Sequence, residues 1–441
     1  MMKRTRILTF LAGLTLLIVL SSAACSKDDK GINIPGPAAS GSSSTGNGGT
    51  SGGGNNGGNT GGNGSTTDPV FTESLCTDLG QSPMVLAYYT ENSKNLPDVT
   101  LLTHINYAHG RFKDPTNGDG GIEIDTPSLM QKVIALKSKN PKLKVMLMVG
   151  GWGMKADGFS KMAADATKRT TFCKSLKKHM DTYGLDGVDI DWEYPGVSAE
   201  GTGFDKLNDK KNFNLVLKEL RETIGNTKII SFASSASHPE YVDWSVAAKY
   251  IDYVNVMTYD MGCAPTAHNS PLYSTSAVFN KQTGADKCIQ KHVDAGIPKN
   301  RLVLGVPFYG KGYNGKKADQ YPVADYQVYP YEVNYNQMAD IFNKNTVTGR
   351  KYNQSNKETI DVTGKNIRKW DDVAKVPYLT DTQGRILLVY DDPESVAEKG
   401  KFAVKEGLLG AMFWEYRHDD DNQSLLKSLV QSMYGKNSVI Q

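Results

Sequence analysis

Within the stretch GLDGVDIDWEYPG, residues 184–196, Asp189, Asp191 and Glu193 fall on alternate positions, interleaved with Val188, Ile190 and Trp192. On an extended strand alternate side chains share a face and stand about 7 Å apart along the chain. The pattern predicts a strand with one apolar face and one carboxylate face. Carboxylates this close in a confined site cannot all ionise cheaply, so they share protons and titrate apart. One of them then stays protonated near neutral pH, as a general acid requires. A solvated acidic loop would not interleave apolar residues so regularly. The spacing also lacks the turn glycine and distal glutamate of an EF-hand. No metal and no cofactor is expected. A two-carboxylate glycosidase sets its pair on opposite sides of the scissile bond. Asp191 and Glu193 share a face and cannot flank a sugar that way, so a glycosidase built on this row needs its nucleophile from elsewhere.

The row needs a scaffold that ends strands at one mouth. Eight short apolar runs supply it: Met84 to Tyr89, Leu101 to Ala108, Lys144 to Trp152, Gly187 to Glu193, Lys228 to Ser235, Tyr253 to Asp260, Leu302 to Gly310 and Gly407 to Tyr416. Helical patterns such as Ser128 to Lys139 and Phe213 to Ile224 lie between several of them. Runs apolar on both faces and separated by helices indicate a parallel sheet covered on both sides. Eight such units predict an α/β fold, a (β/α)8 TIM barrel, with its chemistry at the C-terminal mouth. Glu193 would sit there, with Asp191 and Asp189 progressively deeper. The gap between the seventh and eighth runs is too long for a barrel loop. Residues 312–400 are read as an inserted α+β subdomain, within a catalytic domain of residues 82–433.

With the register in place, Asp186, Asp189, Asp191 and Glu193 match the DxxDxDxE signature of glycoside hydrolase family 18, the chitinase family, which the chain resembles over its folded region. That family is a substrate-assisted exception among retaining glycosidases. The resemblance implies that the substrate's 2-acetamido oxygen attacks C1. Glu193 would protonate the leaving oxygen and then activate water. Asp191 would orient the acetamide and stabilise its positive charge. Asp189 and Asp186 would share protons with the row. Met257, Tyr259 and Asp260 resemble the family's MxYD, which contacts the sugar of subsite −1, and Trp414 resembles the tryptophan that floors it. Tyr88, Gly151, Trp152 and Tyr309 resemble further groove positions. Trp370-Asp371 and Tyr390 to Pro393 resemble the inserted subdomain. Three residues depart from the pattern: Met148 stands in place of Ser, His109 in place of Phe, and Lys311 in place of Arg. Strand alternation puts His109 on the face of Tyr107, beside the row, where it could tune the carboxylates.

Residues 1–24 read as a secretory signal, with Lys3, Arg4 and Arg6 ahead of an apolar run from Ile7 to Leu20 and small residues before Cys25. The run is short for a membrane span. Small residues before a cysteine resemble a bacterial lipobox, which makes Cys25 the expected lipidation site. Ser26 to Asp29 resembles an outer-face export tag. Residues 25–68 are dominated by Gly, Ser, Thr and Asn and cannot bury enough apolar surface to order themselves. Their Gly-rich part would act as a tether with a reach of roughly 30 Å. An outer-membrane lipoprotein facing the cell exterior is expected. Of the other cysteines, Cys263 and Cys288 could close a loop, but none has metal-ligand spacing.

The chain has 441 residues and a net charge of +3, which gives no footprint for nucleic acid. A monomer is expected, with an N-acetylglucosamine-containing glycan and the bacterial membrane as partners. Hydrolysis of β-1,4-linked N-acetylglucosamine polymers is the first functional reading. Cleavage of the chitobiose core of N-glycans is the second; the resemblance implies that such enzymes generally lack the inserted subdomain. A non-catalytic glycan-binding lectin is the third, and Glu193 stands where lectins of this fold usually lose the acid.

Overall fold

The computed structural model describes residues 79–440 except 94, 154–156, 198–202, 265, 280–281, 313–331, 339–345, 351–356, 362–366, 381–383 and 385. The signal segment, Cys25, the tether, Cys76 and much of the insertion lie outside the described residues. Among the described residues no helix is long and apolar enough to cross a membrane.

Eight parallel strands close into a barrel: β1 (Met84–Thr90), β2 (His104–Phe112), β3 (Lys144–Gly150), β4 (Gly187–Asp191), β5 (Ile229–Ser235), β6 (Tyr253–Met257), β7 (Leu302–Pro307) and β8 (Gly410–Trp414). The order runs β1-β8-β7-β6-β5-β4-β3-β2, and β1 pairs with β2 to shut the ring. Each of the eight apolar runs overlaps one of these strands, and β1 and β2 run past theirs to Thr90 and Phe112. The short strand Ile122–Ile124 adds antiparallel to β2.

Two apolar layers result, because each strand is buried on both faces. The outer layer lies between barrel and helices, and Val188, Ile190 and Trp192 belong to it. Trp192 stacks on Phe159 with centroids 5.3 Å apart and meets Phe213 edge-on at 5.6 Å. Those partners come from helices Phe159–Ala164 and Asp209–Ile224. A one-residue slip of β4 would bury carboxylates among these rings and expose the rings to the barrel axis. The packing therefore pins the register that turns the acidic face inward. The inner layer, which includes Leu86, Met146, Met148, Met257 and Met412, fills the barrel beside that face.

The chain between β7 and β8 builds a second sheet of five antiparallel strands, ordered Glu332–Asn334, Tyr309–Gly312, Ile386–Val389, Val376–Thr380 and Ile367–Asp371. Thr346–Arg350 and Lys357–Asp361 form a separate hairpin. The sheet begins at Tyr309, directly after β7, so its first strand is continuous with the barrel. Helix Pro393–Lys405, which the sequence boundary at 400 would split, packs on the C-terminal helix Ser424–Tyr434 and on β7 and β8. It belongs to the barrel's outer layer. Asp392 caps it by accepting from the amides of Glu394 and Ser395. Asp371 ties the added sheet to the loop after β6, accepting from His268 Nε2 at 3.0 Å and from the Ser276 hydroxyl. Cys173 and Cys288 are free thiols, so Cys263 and Cys288 are not bridged to each other.

Candidate active site

β4 carries the row into the barrel. Asp189 is fully buried, Asp191 is 4 % exposed, and Glu193 follows the strand at the open mouth. Asp189 accepts from the Tyr88 hydroxyl at 2.7 Å, the Ser231 hydroxyl at 2.5 Å and the Asn255 amide at 3.0 Å. These donors come from β1, β5 and β6. Burial pushes the Asp189 carboxyl up to about 6, and the three donors pull against that rise. Met148 is its register neighbour on β3. A thioether there is a poor donor. A hydroxyl would favour the ionised carboxylate. Met148→Ser is expected to move the acidic limb of the kcat/KM pH profile downward by a fraction of a unit, read directly from that profile.

Asp191 lies against the backbone turn that ends β3. Gly150 there has φ 105°, and a Cβ on it would meet the Asp191 carbonyl oxygen at 2.2 Å. Only glycine fits. The close approach lets the Gly151 amide donate to that carbonyl at 2.8 Å. Trp152 follows, 44 % exposed at the rim.

Three phenols gather round the row. Burial raises Tyr259 well above its usual value, and the charges of Asp191, Asp260 and Glu193 add to the rise. Burial likewise raises Tyr194, with Glu193 and Asp191 next in effect, and a hydrogen bond links Tyr194 to Glu193. Tyr88 is raised by burial and then by Asp189 and Asp191. All three remain neutral phenols beside the carboxylates. Met257, 9 % exposed, lines the inner layer below Tyr259.

The end of β6 and the start of the added sheet meet at Asp260, which adopts φ 60°. Asp tolerates this left-handed conformation better than most residues, but at some cost. Its Oδ1 accepts from the Tyr309 hydroxyl at 2.6 Å and pairs with Lys311 Nζ at 2.5 Å. Lys311 is 6 % exposed, so its point charge is spent inside the site. Trp414 ends β8, and its ring lies 5.5 Å from that of Tyr88.

The structure thus brings Tyr88, Asp189, Asp191, Glu193, Met257, Tyr259, Asp260, Tyr309 and Trp414 to the interior and C-terminal mouth of one barrel, with Gly151 and Trp152 at its rim. Asp186 is the exception and a correction to the expected row. It precedes β4, accepts from the Val145 amide at 2.7 Å and pairs with Lys137 at 2.5 Å on the helix side. Its spacing of three from Asp189 puts it on the other face of the strand. Sequence reasoning passed over Ser231, Asn255 and Tyr194. The signal for the first two was a polar residue in the middle of a buried strand. For Tyr194 it was adjacency to the acid.

A barrel whose acidic row runs from a buried Asp189 to Glu193 at the mouth, with the Trp414 ring near Tyr88 beside it, suits a glycoside hydrolase. The family model described as "Glycosyl hydrolases family 18" matches residues 84–419. Chitinase A1 of Niallia circulans is 34 % identical over 396 residues, covering 79 % of this chain and 51 % of that protein. The chain therefore spans about half of that relative's length. Chitinase B of Serratia marcescens is 27 % identical, covering 74 % of this chain and 75 % of that protein. Among solved structures, the chitinase ChiA74 from Bacillus thuringiensis superposes with a TM-score of 0.65 at 25 % identity, covering 82 % of this chain and 71 % of that one. The Ostrinia furnacalis Group IV chitinase gives 0.64 at 28 %, covering 79 % and 99 %. The chain belongs to family 18 of the glycosyl hydrolases.

Proposed function

We propose that the protein hydrolyses β-1,4-linked N-acetylglucosamine polymers, chitin and chitooligosaccharides, with retention of configuration and with the substrate's own acetamide oxygen as nucleophile. The observation that carries this reading is the single-strand acidic row, with Glu193 at the mouth and Asp191 and Asp189 behind it on one face. The acid and its neighbour do not flank a sugar ring, so a nucleophile within the substrate suits the geometry. Glu193 serves as acid and then base. Asp191 and Tyr259 orient the acetamide, and Trp414 offers an aromatic face to the apolar C–H face of the sugar. Asp260, Tyr309, Tyr88, Gly151 and Trp152 complete the groove. The chitinase relatives support this substrate class, and the added sheet beside the mouth favours it over N-glycan cores.

Glucose polymers lack the acetamide. Cellulose is therefore expected to remain uncut while chitooligosaccharides are cleaved, and an N-acetylglucosamine thiazoline is expected to inhibit. Reducing-end release from both polymers, with and without the thiazoline, tests this. Cellulose cleavage, or indifference to millimolar thiazoline, would overturn the mechanism.

We further propose that the protein is exported and anchored by lipid on Cys25, with the catalytic domain held away from the membrane by the tether and acting as a monomer. The small residues before Cys25 support this. Cys25→Ser is expected to move the protein from the membrane fraction to the soluble fraction at unchanged specific activity. Retention in the membrane fraction would refute the anchor.

A further inference from the structure

His109 does not sit where strand alternation would put it. β2 pairs with β3 through Tyr107 and Leu147, then resumes at Gly110 and Val149, so β2 carries one extra residue. Such a bulge re-aims the side chains beside it. Tyr107 stays in the outer layer, while the His109 ring lies 6.3 Å from that of Trp414. His109 is 2 % exposed, and its Nδ1 stands 3.5 Å from Glu91 Oε2 and 3.8 Å from Asp125 Oδ2. Among the described residues, charged groups surround it from four places. Glu91 follows β1, and Asp125 follows the strand Ile122–Ile124. Arg111 on β2 pairs with Asp125 at 2.5 Å and lies 3.7 Å from Glu91. The Tyr107 phenol lies within electrostatic reach of both carboxylates. From the β8 side come Trp414 and then Glu415, whose carboxylate is already engaged by Arg417 and His418.

Glu91 and Asp125 stand 3.5 and 3.8 Å from the Nδ1 of this buried imidazole. Their charges favour a proton on His109, and buried charges persist where they are paired. The same ring lies close to the indole of Trp414, which in turn touches Tyr88, the donor to Asp189. We propose that His109 is a positioning residue that carries a proton in the working enzyme and, held by Glu91 and Asp125, fixes the Trp414 ring in a pH-dependent way. The proposal goes beyond the substrate reading above, and only its kinetic arm rests on it.

The test is a pH titration of intrinsic fluorescence on the full chain without substrate. An imidazolium quenches a neighbouring indole, so emission is expected to rise in one step as His109 loses its proton. The step should vanish in Trp414→Phe and in His109→Phe. Two variants at the partly exposed cluster give a signed test even if His109→Phe fails to fold. Glu91→Gln removes a charge that favours the proton and should move the step to lower pH. Arg111→Gln removes one that opposes it and should move the step to higher pH. Each shift is expected at about half a unit to one unit. In the kinetic arm, the matching limb of the kcat/KM profile on a soluble chitooligosaccharide should move with the fluorescence step. Shifts of one sign for both variants would overturn the proposal. So would a step that survives in Trp414→Phe, or one that appears only on adding a divalent cation, which would make Glu91, His109 and Asp125 a cation site. An enzyme with the signed fluorescence shifts but no action on chitooligosaccharides would refute the substrate reading and leave this one standing.

Discussion

Glu193→Gln is expected to lower kcat on chitooligosaccharides by about 10²–10⁴-fold, the usual cost of losing a general acid. The amide keeps the shape of the side chain and removes only the transferable proton. Binding should persist, because Trp414, Tyr259 and Asp260 remain in place. The loss should depend on the leaving group. A sugar alkoxide must be protonated as it departs, whereas a dinitrophenolate leaves unaided. Glu193→Gln should therefore recover much of its glycosylation rate on a dinitrophenyl chitobioside and then stall at the water step, where the missing base is needed. A pre-steady-state burst of dinitrophenolate followed by slow turnover is the signature. Near-wild-type turnover of an unactivated oligosaccharide would reject Glu193 as the acid.

The features that were legible in the sequence rest on local periodicity. Val188, Ile190 and Trp192 alternate with Asp189 and Asp191. That alone assigns faces, and Trp192 lies between Phe159 and Phe213 as an outward residue should. The eight apolar runs could be read for the same reason, since a strand buried on both sides leaves a continuous apolar signature. Features that depend on the pairing partner were not legible. The extra residue in β2 exists only relative to β3, so nothing in Leu101 to Ala108 announces that His109 will turn toward Trp414. The donors to Asp189 arrive from positions 42, 66 and 101 residues away, where no local pattern links them to it. Asp186 shows the opposite error. A motif written as four acids suggests one row, while the spacing of three between the first two already separates them across the strand.

Asp191→Asn is expected to lower kcat by about 10²–10³-fold, the range seen when a preorganised electrostatic stabiliser is removed. The reasoning differs from that for Glu193. Asp191 is 4 % exposed and sits between fully buried Asp189 and the mouth. Its charge is felt by the neutral phenols of Tyr259, Tyr194 and Tyr88. In such a buried site its negative charge has its largest effect on a cation that develops within reach, as the acetamide would in the mechanism proposed above. The asparagine keeps a hydrogen-bonding side chain but loses that charge. It also changes the proton balance of the row, because Asp189 no longer faces a second carboxylate. A good leaving group cannot compensate, since the deficit lies in the nucleophile's positive charge and not in the departing oxygen. Asp191→Asn should therefore be impaired to a similar degree on the dinitrophenyl chitobioside and on the unactivated oligosaccharide, without a burst. Glu193→Gln on the same pair of substrates should split widely. Measuring both variants on both substrates separates the two carboxylates by role. Rescue of Asp191→Asn by the activated leaving group would place its function in leaving-group protonation and would break the division of labour assigned to the row.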